Sequence, residues 1–283
     1  MICGAAGQLG SELVDVFRND GEDVHAFDLD MDITDYDVIA DRVPALEPDL
    51  VINSAAFVDA DEAERDPDVS YRVNFVGTQN LALACGEVGC PLVFVSSDYV
   101  FDGKKGGSYT EFDLPNPQGV YGRAKLAAER YIPSVLSQYY IFRTQWLFGR
   151  YGKRNFVKSI LRNARDKGSL RVVTDEVGTP TSAADLAATI HKVSLSGKFG
   201  LYHATNTGVC SRFEFAKEIV EAAGMPDVEV HPMEYTDLNL PCPRPPYSPL
   251  DNMLLRLQGF GQPRDYHEPL KEYVDWLLES GEL

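Results

Sequence analysis

A glycine-rich turn at residues 4–10, Gly-Ala-Ala-Gly-Gln-Leu-Gly, constrains the fold of this chain more than any other feature of its sequence. Gly4 permits a tight turn out of a preceding strand, Gly7 lets the backbone approach a phosphate group, and Gly10 lets the next helix pack on the sheet. The N-terminus of that helix offers free N–H groups and a positive dipole end to an anion. The spacing is G-x-x-G-x-x-G, not the standard G-x-G-x-x-G, and the alternative interpretation is an ordinary strand–helix turn.

Apolar runs alternate with segments of helical periodicity through the first 145 residues. The pattern predicts strands at 1–3, 24–27, 50–53, 92–96 and 140–142, and helices at 9–17, 36–43, 69–87 and 121–136. Because the strands are apolar runs, without a regular polar alternation, and are separated by helices, we expect a Rossmann-like, doubly wound parallel sheet covered on both faces. Only three residues precede Gly4, so the first strand is short or the natural start lies upstream.

The rhythm loosens after residue 143, where the pattern predicts a smaller C-terminal substrate-binding lobe. Helices are expected at 156–166, 183–195 and 268–278, an extended segment at 170–173, a strand at 201–204, and an irregular connection at the proline-rich residues 241–249. Ser211 and Glu214 have the spacing of a capping box. We expect residues 1–146, 179–204 and 260–283 to form the dinucleotide-binding domain, and residues 147–178 and 205–259 to form the lobe.

Asp28 ends the second predicted strand, 18 residues past Gly10. An acidic residue there binds the ribose hydroxyls of an adenosine and repels the extra phosphate of NADP. No Arg or Lys lies between residues 19 and 41, so we expect NADH to be favoured over NADPH. The predicted cofactor-binding residues are Gly4, Gly7, Gln8, Leu9, Gly10, Asp28, Asp32, Ile33, Ser54, Ala55, Ala56, Tyr121 and Lys125. For Asp32 the alternative is the N-cap of the following helix.

Tyr121 and Lys125 stand one helical turn apart, so both side chains lie on one helix face. A tyrosine has a pKa near 10 and is a poor proton shuttle at neutral pH, but a neighbouring ammonium group lowers that pKa. Ser97 ends the fourth strand, at the edge where open α/β sheets bind ligands. We expect Ser97 to bind a substrate carbonyl, Tyr121 to protonate it, and a nicotinamide to supply hydride.

Each of these residues has a structural alternative. Tyr121 could be a surface tyrosine of the helix, and Ser97 could cap the strand end, with Ser96 in its place. Lys125 is expected to bind the nicotinamide ribose as well as to assist the phenol.

The net charge of −17 argues against nucleic acid and against an anionic membrane as partners. One segment has the opposite charge: residues 143–171 contain nine basic residues and one acidic residue, a charge of +8. We interpret the segment as a cationic wall for an anionic small-molecule substrate. The alternative is a solvated basic helix face.

Five cysteines, an odd number without a CxxC motif, predict reduced thiols in the cytoplasm. No apolar stretch approaches the roughly 20 residues that span a bilayer, and no secretory signal is recognisable. No metal-ligand spacing is present. The sequence leaves a homodimer open.

Several stretches together resemble a known family. They are residues 7–10, 51–56, 59–64, 74–81, 97–103, 115–117, 120–126, 143–146, 155–157, 178–181 and 244–251. The stretch 97–103, Ser-Asp-Tyr-Val-Phe-Asp-Gly, is the most specific. With the glycine turn and the Tyr121–Lys125 pair, these stretches resemble the extended short-chain dehydrogenase/reductase superfamily, and within it the dTDP-4-dehydrorhamnose reductases, over nearly the whole chain.

The resemblance implies NAD(P)H-dependent reduction of the 4-keto group of dTDP-4-dehydro-L-rhamnose to dTDP-L-rhamnose. It implies that Tyr99 and Trp146 line the deoxysugar pocket, and that Asn155, Lys158 and Arg244 approach the nucleotide part of the substrate. For Tyr99 and Trp146 the alternative is an ordinary core aromatic, and for Asn155 and Lys158 a solvated helix start.

Gln145 departs from the family, which has a small serine there, and residues 58–62 hold three acids where the family varies. Other functions remain open on the same framework: another sugar-nucleotide reductase or an epimerase, or a non-catalytic regulatory subunit of the methionine adenosyltransferase type. A dehydratase needs a second acid directly after Asp98, and Tyr99 stands there instead.

Overall fold

The computed structural model describes residues 1–282, and a six-stranded parallel sheet lies at its centre. The strands of the chain are β1 (Ile2–Cys3), β2 (Ala26–Phe27), β3 (Val51–Asn53), β4 (Leu92–Ser97), β5 (Tyr139–Thr144), β6 (Leu147–Phe148), β7 (Ser169–Val173), β8 (Val177–Gly178), β9 (Thr181–Ser182), β10 (Gly200–His203), β11 (Cys210–Ser211) and β12 (Glu229–Met233). The order in the central sheet is β10-β5-β4-β3-β1-β2. This is the predicted doubly wound sheet. Its two-residue β1 pairs with a strand on each side.

Helices connect the parallel strands and cover them. They are α1 (Gln8–Asn19), α2 (Tyr36–Leu46), α3 (Ala60–Arg65), α4 (Pro67–Tyr71), α5 (Gly77–Val88), α6 (Val120–Val135), α7 (Phe156–Lys167), α8 (Ala183–Ser194), α9 (Arg212–Ala222), α10 (Met253–Leu257) and α11 (His267–Ser280). No helix within residues 1–282 combines the length and the apolar character needed to cross a membrane. The predicted capping box of α9 is present, because Ser211 and Glu214 exchange side-chain hydrogen bonds with each other's backbone N–H.

Both faces of the sheet are buried, which explains why its strands are apolar at successive positions. On one face, α2, α5 and α6 pack through residues such as Ile39, Leu81 and Ile132. On the other face, α1 and α8 pack through residues such as Leu13 and Ile190. The carboxyl ends of β1, β3 and β4 therefore meet at one edge of a sheet that is rigidly held from both sides.

The helix predicted at 69–87 is interrupted by a turn of π-helix at Arg72–Val76. At this turn the Asn74 side chain donates to the Phe57 carbonyl oxygen at 2.9 Å and accepts from the Phe57 N–H at 3.1 Å. The loop that follows β3 is thereby fastened to the helix. The interruption of the helix could not be predicted from the local sequence, because Asn74 and Phe57 lie 17 residues apart in the chain.

A second apolar core lies beneath α7, α9 and β7, and the final helix belongs to it. Leu270, Tyr273 and Val274 of α11 are buried in the same cluster as Leu161 of α7 and Phe215 of α9. Residues 260–283 are expected to belong to the dinucleotide-binding domain, and this helix packs in the same apolar cluster as α7 and α9. Its apolar stripe faces the lobe.

Candidate active site

At Gly4 and Gly10 the glycine turn has no room for a Cβ atom. Gly4 has a φ of +75°, and a Cβ there would lie 2.5 Å from the Ala55 backbone nitrogen. A Cβ on Gly10 would lie 2.0 Å from the Gly4 carbonyl oxygen. Gly7 is the N-cap of α1, and no side chain caps the first turn of that helix. The turn therefore leaves backbone N–H groups at a helix N-terminus for an anionic ligand, which is what a dinucleotide pyrophosphate requires.

A cleft of ≈ 390 Å³ opens beside this turn. It is lined by Ala5, Ala6, Ser11, Val14, Asp15, Ala26, Phe27, Asp28, Asp30 and Tyr151. Asp28 is exposed at the end of β2, where the sequence analysis expects it, and Asp30 adds a second carboxylate to the same cleft. The cleft suits the adenosine end of a dinucleotide and carries negative charge.

Asp32 and Ile33, which are expected to border the adenine, differ in exposure: Asp32 is exposed and Ile33 is buried. Asp32 is exposed and accepts a hydrogen bond from the Thr34 N–H at 2.8 Å. The N-cap of α2 is Asp35, so the capping alternative for Asp32 is wrong. The Ile33 side chain is buried and abuts Gly77, where an added Cβ would lie 2.6 Å from it.

The other predicted cofactor-binding residues near the glycine turn bring mainly backbone atoms to it. Leu9 is buried in the sheet core. The Ser54 hydroxyl donates to the Cys3 carbonyl oxygen at 2.7 Å, and the Ala55 N–H donates to Asn53 Oδ1 at 3.1 Å. Ala56 follows in the same half-buried loop. Small residues let this loop lie directly against Gly4.

Ser97, Tyr121 and Lys125 are brought together at the carboxyl edge of β4. Tyr121 lies in the first turn of α6, and its hydroxyl is within hydrogen-bond reach of the Ser97 side chain. The Lys125 Nζ donates to the Val95 carbonyl oxygen at 2.9 Å and lies 6.0 Å from the centre of the Tyr121 ring. Ser97, not Ser96, is thus the hydroxyl residue that contacts Tyr121.

The electrostatics of this group correct one expectation. Burial raises the pKa of Tyr121 above its usual range, and the hydrogen bond with Ser97 opposes this only in part. Burial also lowers the pKa of Lys125 to about 7, against the opposing effect of Glu129. The expected lowering of the Tyr121 pKa by Lys125 is therefore not found. Desolvation is the largest effect on the pKa of both groups, and the lysine nitrogen donates to the Val95 carbonyl oxygen.

Asp98 is a buried carboxyl group that the sequence analysis did not assign to the site. Its two oxygens accept hydrogen bonds from the hydroxyl groups of Ser97 and Ser248, at 3.0 Å and 2.7 Å. Burial raises the pKa of Asp98 to about 6, with the two serine bonds opposing. Ser248 lies in the irregular proline-rich segment that was predicted, so this segment is connected to Ser97 through the Asp98 carboxylate.

Tyr99 and Trp146 line the side of the site that faces the lobe. The Tyr99 ring packs edge-on against the Tyr121 ring, with centroids 5.5 Å apart. The Arg212 guanidinium stacks 3.6 Å from the centre of the Trp146 ring. Both aromatic side chains are half-buried, and Trp146 also packs against the apolar core of the lobe.

Arg244 lies near the same aromatic residues and bridges the two parts of the chain. Its Nη2 is 2.9 Å from Asp61 Oδ2, in α3. Its Nε is 3.9 Å from Glu176 Oε1, and Glu176 also pairs with Arg212 at 3.5 Å. Burial raises the pKa of Tyr99 and Arg244 opposes the rise, while Asp98, Glu176 and Arg212 also act on the phenol.

Asn155 and Lys158 have partners outside the group formed by Tyr99, Trp146 and Arg244. Asn155 caps α7, and its side-chain nitrogen donates to Gln8 Oε1 at 3.0 Å and to the Tyr273 hydroxyl at 2.9 Å. The Lys158 Nζ is buried and is 3.2 Å from Glu282 Oε2. Neither residue is a solvated helix start, and the side-chain partners of Arg244 are Asp61, Glu176 and Tyr235 instead. Asn155 connects the lobe to the glycine turn.

The basic segment at 143–171 does not form one wall. Arg143 is buried and paired with Glu129, whereas Arg150, Lys153, Arg154, Arg162, Arg165, Lys167 and Arg171 are exposed. The solvated-face interpretation describes most of it. The cations beside Tyr99 come instead from Arg212 and Arg244. Arg212 could not be found by charge clustering, since it stands alone between Ser211 and Phe213.

Gln145 is fixed by its neighbours. Its side-chain nitrogen donates to the Ser248 carbonyl oxygen at 2.9 Å, and its Oε1 accepts from the Thr179 N–H at 2.9 Å. The amide is buried. The residue that departs from the family's small serine therefore holds the proline-rich segment in place beside Trp146.

Comparison with known proteins identifies the family. The model of the RmlD substrate binding domain matches residues 1–278. A dTDP-4-dehydrorhamnose reductase from Mycobacterium tuberculosis is 38% identical over 276 residues, covering 95% of this chain and 90% of the relative. The chain belongs to the dTDP-4-dehydrorhamnose reductase family. The spore coat polysaccharide biosynthesis protein SpsK of Bacillus subtilis is also similar, with 36% identity over 275 residues, 97% of this chain and 96% of the relative.

Solved structures agree with this assignment. A dTDP-4-dehydrorhamnose reductase from Clostridium acetobutylicum has a TM-score of 0.95 and 40% identity, with 98% of both chains covered. One from Bacillus anthracis, in complex with NADP, has a TM-score of 0.93 and 38% identity, with 96% of both chains covered. The expected family, the Rossmann-like fold class and the expectation of an oxidoreductase of this family are confirmed.

Proposed function

We propose that this protein reduces the 4-keto group of dTDP-4-dehydro-L-rhamnose to give dTDP-L-rhamnose, with a proton from Tyr121. The observation that carries the proposal is the contact between Tyr121 and Ser97 at the carboxyl edge of the sheet, beside a glycine turn that only glycine fits. Relatives at 33–38% identity are named for this reaction. A bound nicotinamide cofactor supplies the hydride.

The raised pKa of Tyr121 suits a proton donor. A phenol whose ionised form is disfavoured by burial keeps its proton until an oxygen of rising basicity is placed beside it. Ser97 lies on the same side and offers a second hydroxyl to that oxygen. Lys125, close beneath the phenol, stabilises the phenolate that remains, and its ammonium can also bind the cofactor's ribose.

We propose that NADH is favoured over NADPH. Asp28 and Asp30 place two carboxylates in the cleft beside the glycine turn, and a 2′-phosphate would be repelled there. The relative from Bacillus anthracis was solved with NADP, so the comparison of kcat/KM for both cofactors is decisive. An advantage for NADPH in the wild type, unchanged in Asp28→Asn, would remove Asp28 from cofactor selection.

We propose that the sugar nucleotide lies between Tyr99, Trp146 and Arg244, with Arg212 as a further cation. In this division, residues 1–146, 179–204 and 260–283 hold the dinucleotide, while residues 147–178 and 205–259 hold the substrate. The Asn155 contact with Gln8 and the Lys158 contact with Glu282 favour a role for these two residues at the edge of the glycine turn and beside the final helix.

The test is direct. Purified protein with NADH or NADPH and dTDP-4-dehydro-L-rhamnose should oxidise one equivalent of cofactor per sugar and yield dTDP-L-rhamnose. A change of sugar configuration without net oxidation would indicate an epimerase. Cofactor binding without any turnover would indicate the regulatory role. Oxidation with a different keto-sugar nucleotide only would keep the chemistry and change the substrate.

A further inference from the structure

The Ser97 hydroxyl is the centre of a hydrogen-bond chain that the proposed reaction does not explain. Its proton is directed to Asp98 Oδ1 at 3.0 Å, and the Tyr99 N–H donates to its oxygen at 3.2 Å. The Tyr121 hydroxyl is within hydrogen-bond reach of the same oxygen. Asp98 is 1% exposed and holds the Ser248 hydroxyl with its other oxygen.

A serine hydroxyl has one proton and two lone pairs. In this arrangement the proton goes to Asp98, and a lone pair accepts from the Tyr99 N–H. The Ser97 hydroxyl therefore has no second proton to give to Tyr121 or to a substrate. To donate to a substrate oxygen, or to the phenolate that Tyr121 becomes, Ser97 must withdraw its proton from Asp98.

We propose that Asp98 is a positioning residue that controls the direction of the Ser97 hydroxyl, holding it away from the substrate when the carboxyl group is ionised and releasing it when neutral. The proposal rests on the proposed reductase function for its kinetic consequence. The hydrogen-bond chain itself exists without substrate and can be tested without it.

The surroundings of Asp98 determine when it changes charge. Arg212 favours the carboxylate, and Tyr99 and Tyr121 are the other titratable groups whose ionisation Asp98 opposes. Burial outweighs Arg212 and the two serine bonds, and raises the pKa of Asp98 to about 6. Asp98 therefore changes charge at a lower pH than Lys125, whose pKa is about 7.

The direction of the effect follows from these bonds. Below pH 6 the carboxyl group is neutral and the Ser97 proton is free; above pH 6 the carboxylate holds it. A hydrogen bond to an ionised acceptor is about twice as strong as one to a neutral acceptor, so kcat/KM for the sugar nucleotide should fall roughly tenfold as Asp98 ionises. In a plot of kcat/KM against pH, this decrease is centred at a lower pH than the separate decrease that Lys125 causes near pH 7.

The kinetic experiment compares wild type, D98N and S248A at saturating cofactor across pH 5 to 8. In D98N the limb near pH 6 should be absent, because the amide does not ionise. In S248A the limb should remain but move to higher pH, because loss of the Ser248 bond leaves the carboxylate less stabilised. A residue that merely supports the fold would lower activity at all pH values. An unshifted limb in both variants overturns the proposal.

An infrared titration, without substrate, separates this inference from the reductase function. The carbonyl stretch of the protonated Asp98 carboxyl should disappear near pH 6 in wild type, and should titrate at higher pH in both S97A and S248A. If S97A leaves the titration in place, Ser97 does not bind Asp98 and the inference is wrong, whatever the protein reduces. If the titration shifts but wild type does not turn over the sugar nucleotide, the proposed function fails and the hydrogen-bond chain stands. The two serine variants decide the matter even if D98N does not fold.

Discussion

Glu129→Gln tests the packing beneath the catalytic helix face, where Tyr121, Lys125 and Glu129 follow one another at four-residue intervals. Glu129 and Arg143 form a two-pronged ion pair, with Nε–Oε1 at 2.9 Å and Nη2–Oε2 at 2.5 Å. Their side chains are only 3% and 4% exposed. Removing the carboxylate leaves the Arg143 charge buried, with His203 Nε2 at 3.5 Å as a remaining neighbour.

Breaking a buried ion pair by removing one partner typically costs about 3–5 kcal/mol. His203 cannot replace the lost charge, because burial lowers its pKa to about 3 and it is neutral. Glu129 also supports the positive charge of Lys125. The variant should therefore lose about 3–5 kcal/mol in the free energy of unfolding, and the Lys125 pKa should fall further below 7.

Urea unfolding of wild type and Glu129→Gln measures the loss, with Glu62→Gln as the matched control. Glu62 pairs with Arg65 at the same 2.9 Å, but these side chains are 49% and 58% exposed. An exposed pair is worth roughly 0.2–1 kcal/mol. Equal losses in the two variants would refute the reasoning that burial determines the value of the pair. Replacing both Glu129 and Arg143 by apolar residues should restore part of the stability, because neither charge of the pair is then left buried without its partner.

Two further predictions follow from the same structure. The kcat/KM for the cofactor should fall as pH rises through about 7, because Lys125 has a pKa of about 7 in the free protein and loses its charge above it; a flat profile from pH 6 to 8 would contradict this. Ser211→Ala should cost about 1 kcal/mol of stability in urea unfolding, since the reciprocal bonds with Glu214 cap α9, and Ser159→Ala, in the exposed first turn of α7, should cost less.

The sheet could be predicted because its signal is local. The strands β4 and β5 each begin with four consecutive apolar residues, and this pattern is typical of strands buried on both faces. The glycine turn was equally readable, since Gly4 and Gly10 stand where the structure leaves no space for a Cβ. The Tyr121–Lys125 spacing placed both side chains at the site because i and i+4 share a helix face.

What could not be predicted depends on contacts between distant residues. The amphipathic pattern of α11 predicts that one face of the helix is buried, but it does not predict that Phe215 of α9 lies in the same apolar cluster. Arg212 reaches the site only because α9 begins beside Trp146. The Asp98–Ser248 contact joins residues 150 positions apart. The Tyr121 pKa is raised, not lowered as expected, because burial has the largest effect on it. The spacing of Tyr121 and Lys125 carries no information about burial.

The most direct measurement is a single turnover, with the protein in excess over dTDP-4-dehydro-L-rhamnose and reduced nicotinamide already bound. Wild type should show loss of nicotinamide absorbance in step with the appearance of the 4-hydroxy product. Tyr121→Phe should bind the cofactor normally and lose a factor of about 10² to 10⁴ in this step. A Tyr121→Phe protein that completes the turnover at the wild-type rate would show that the proton comes from another group.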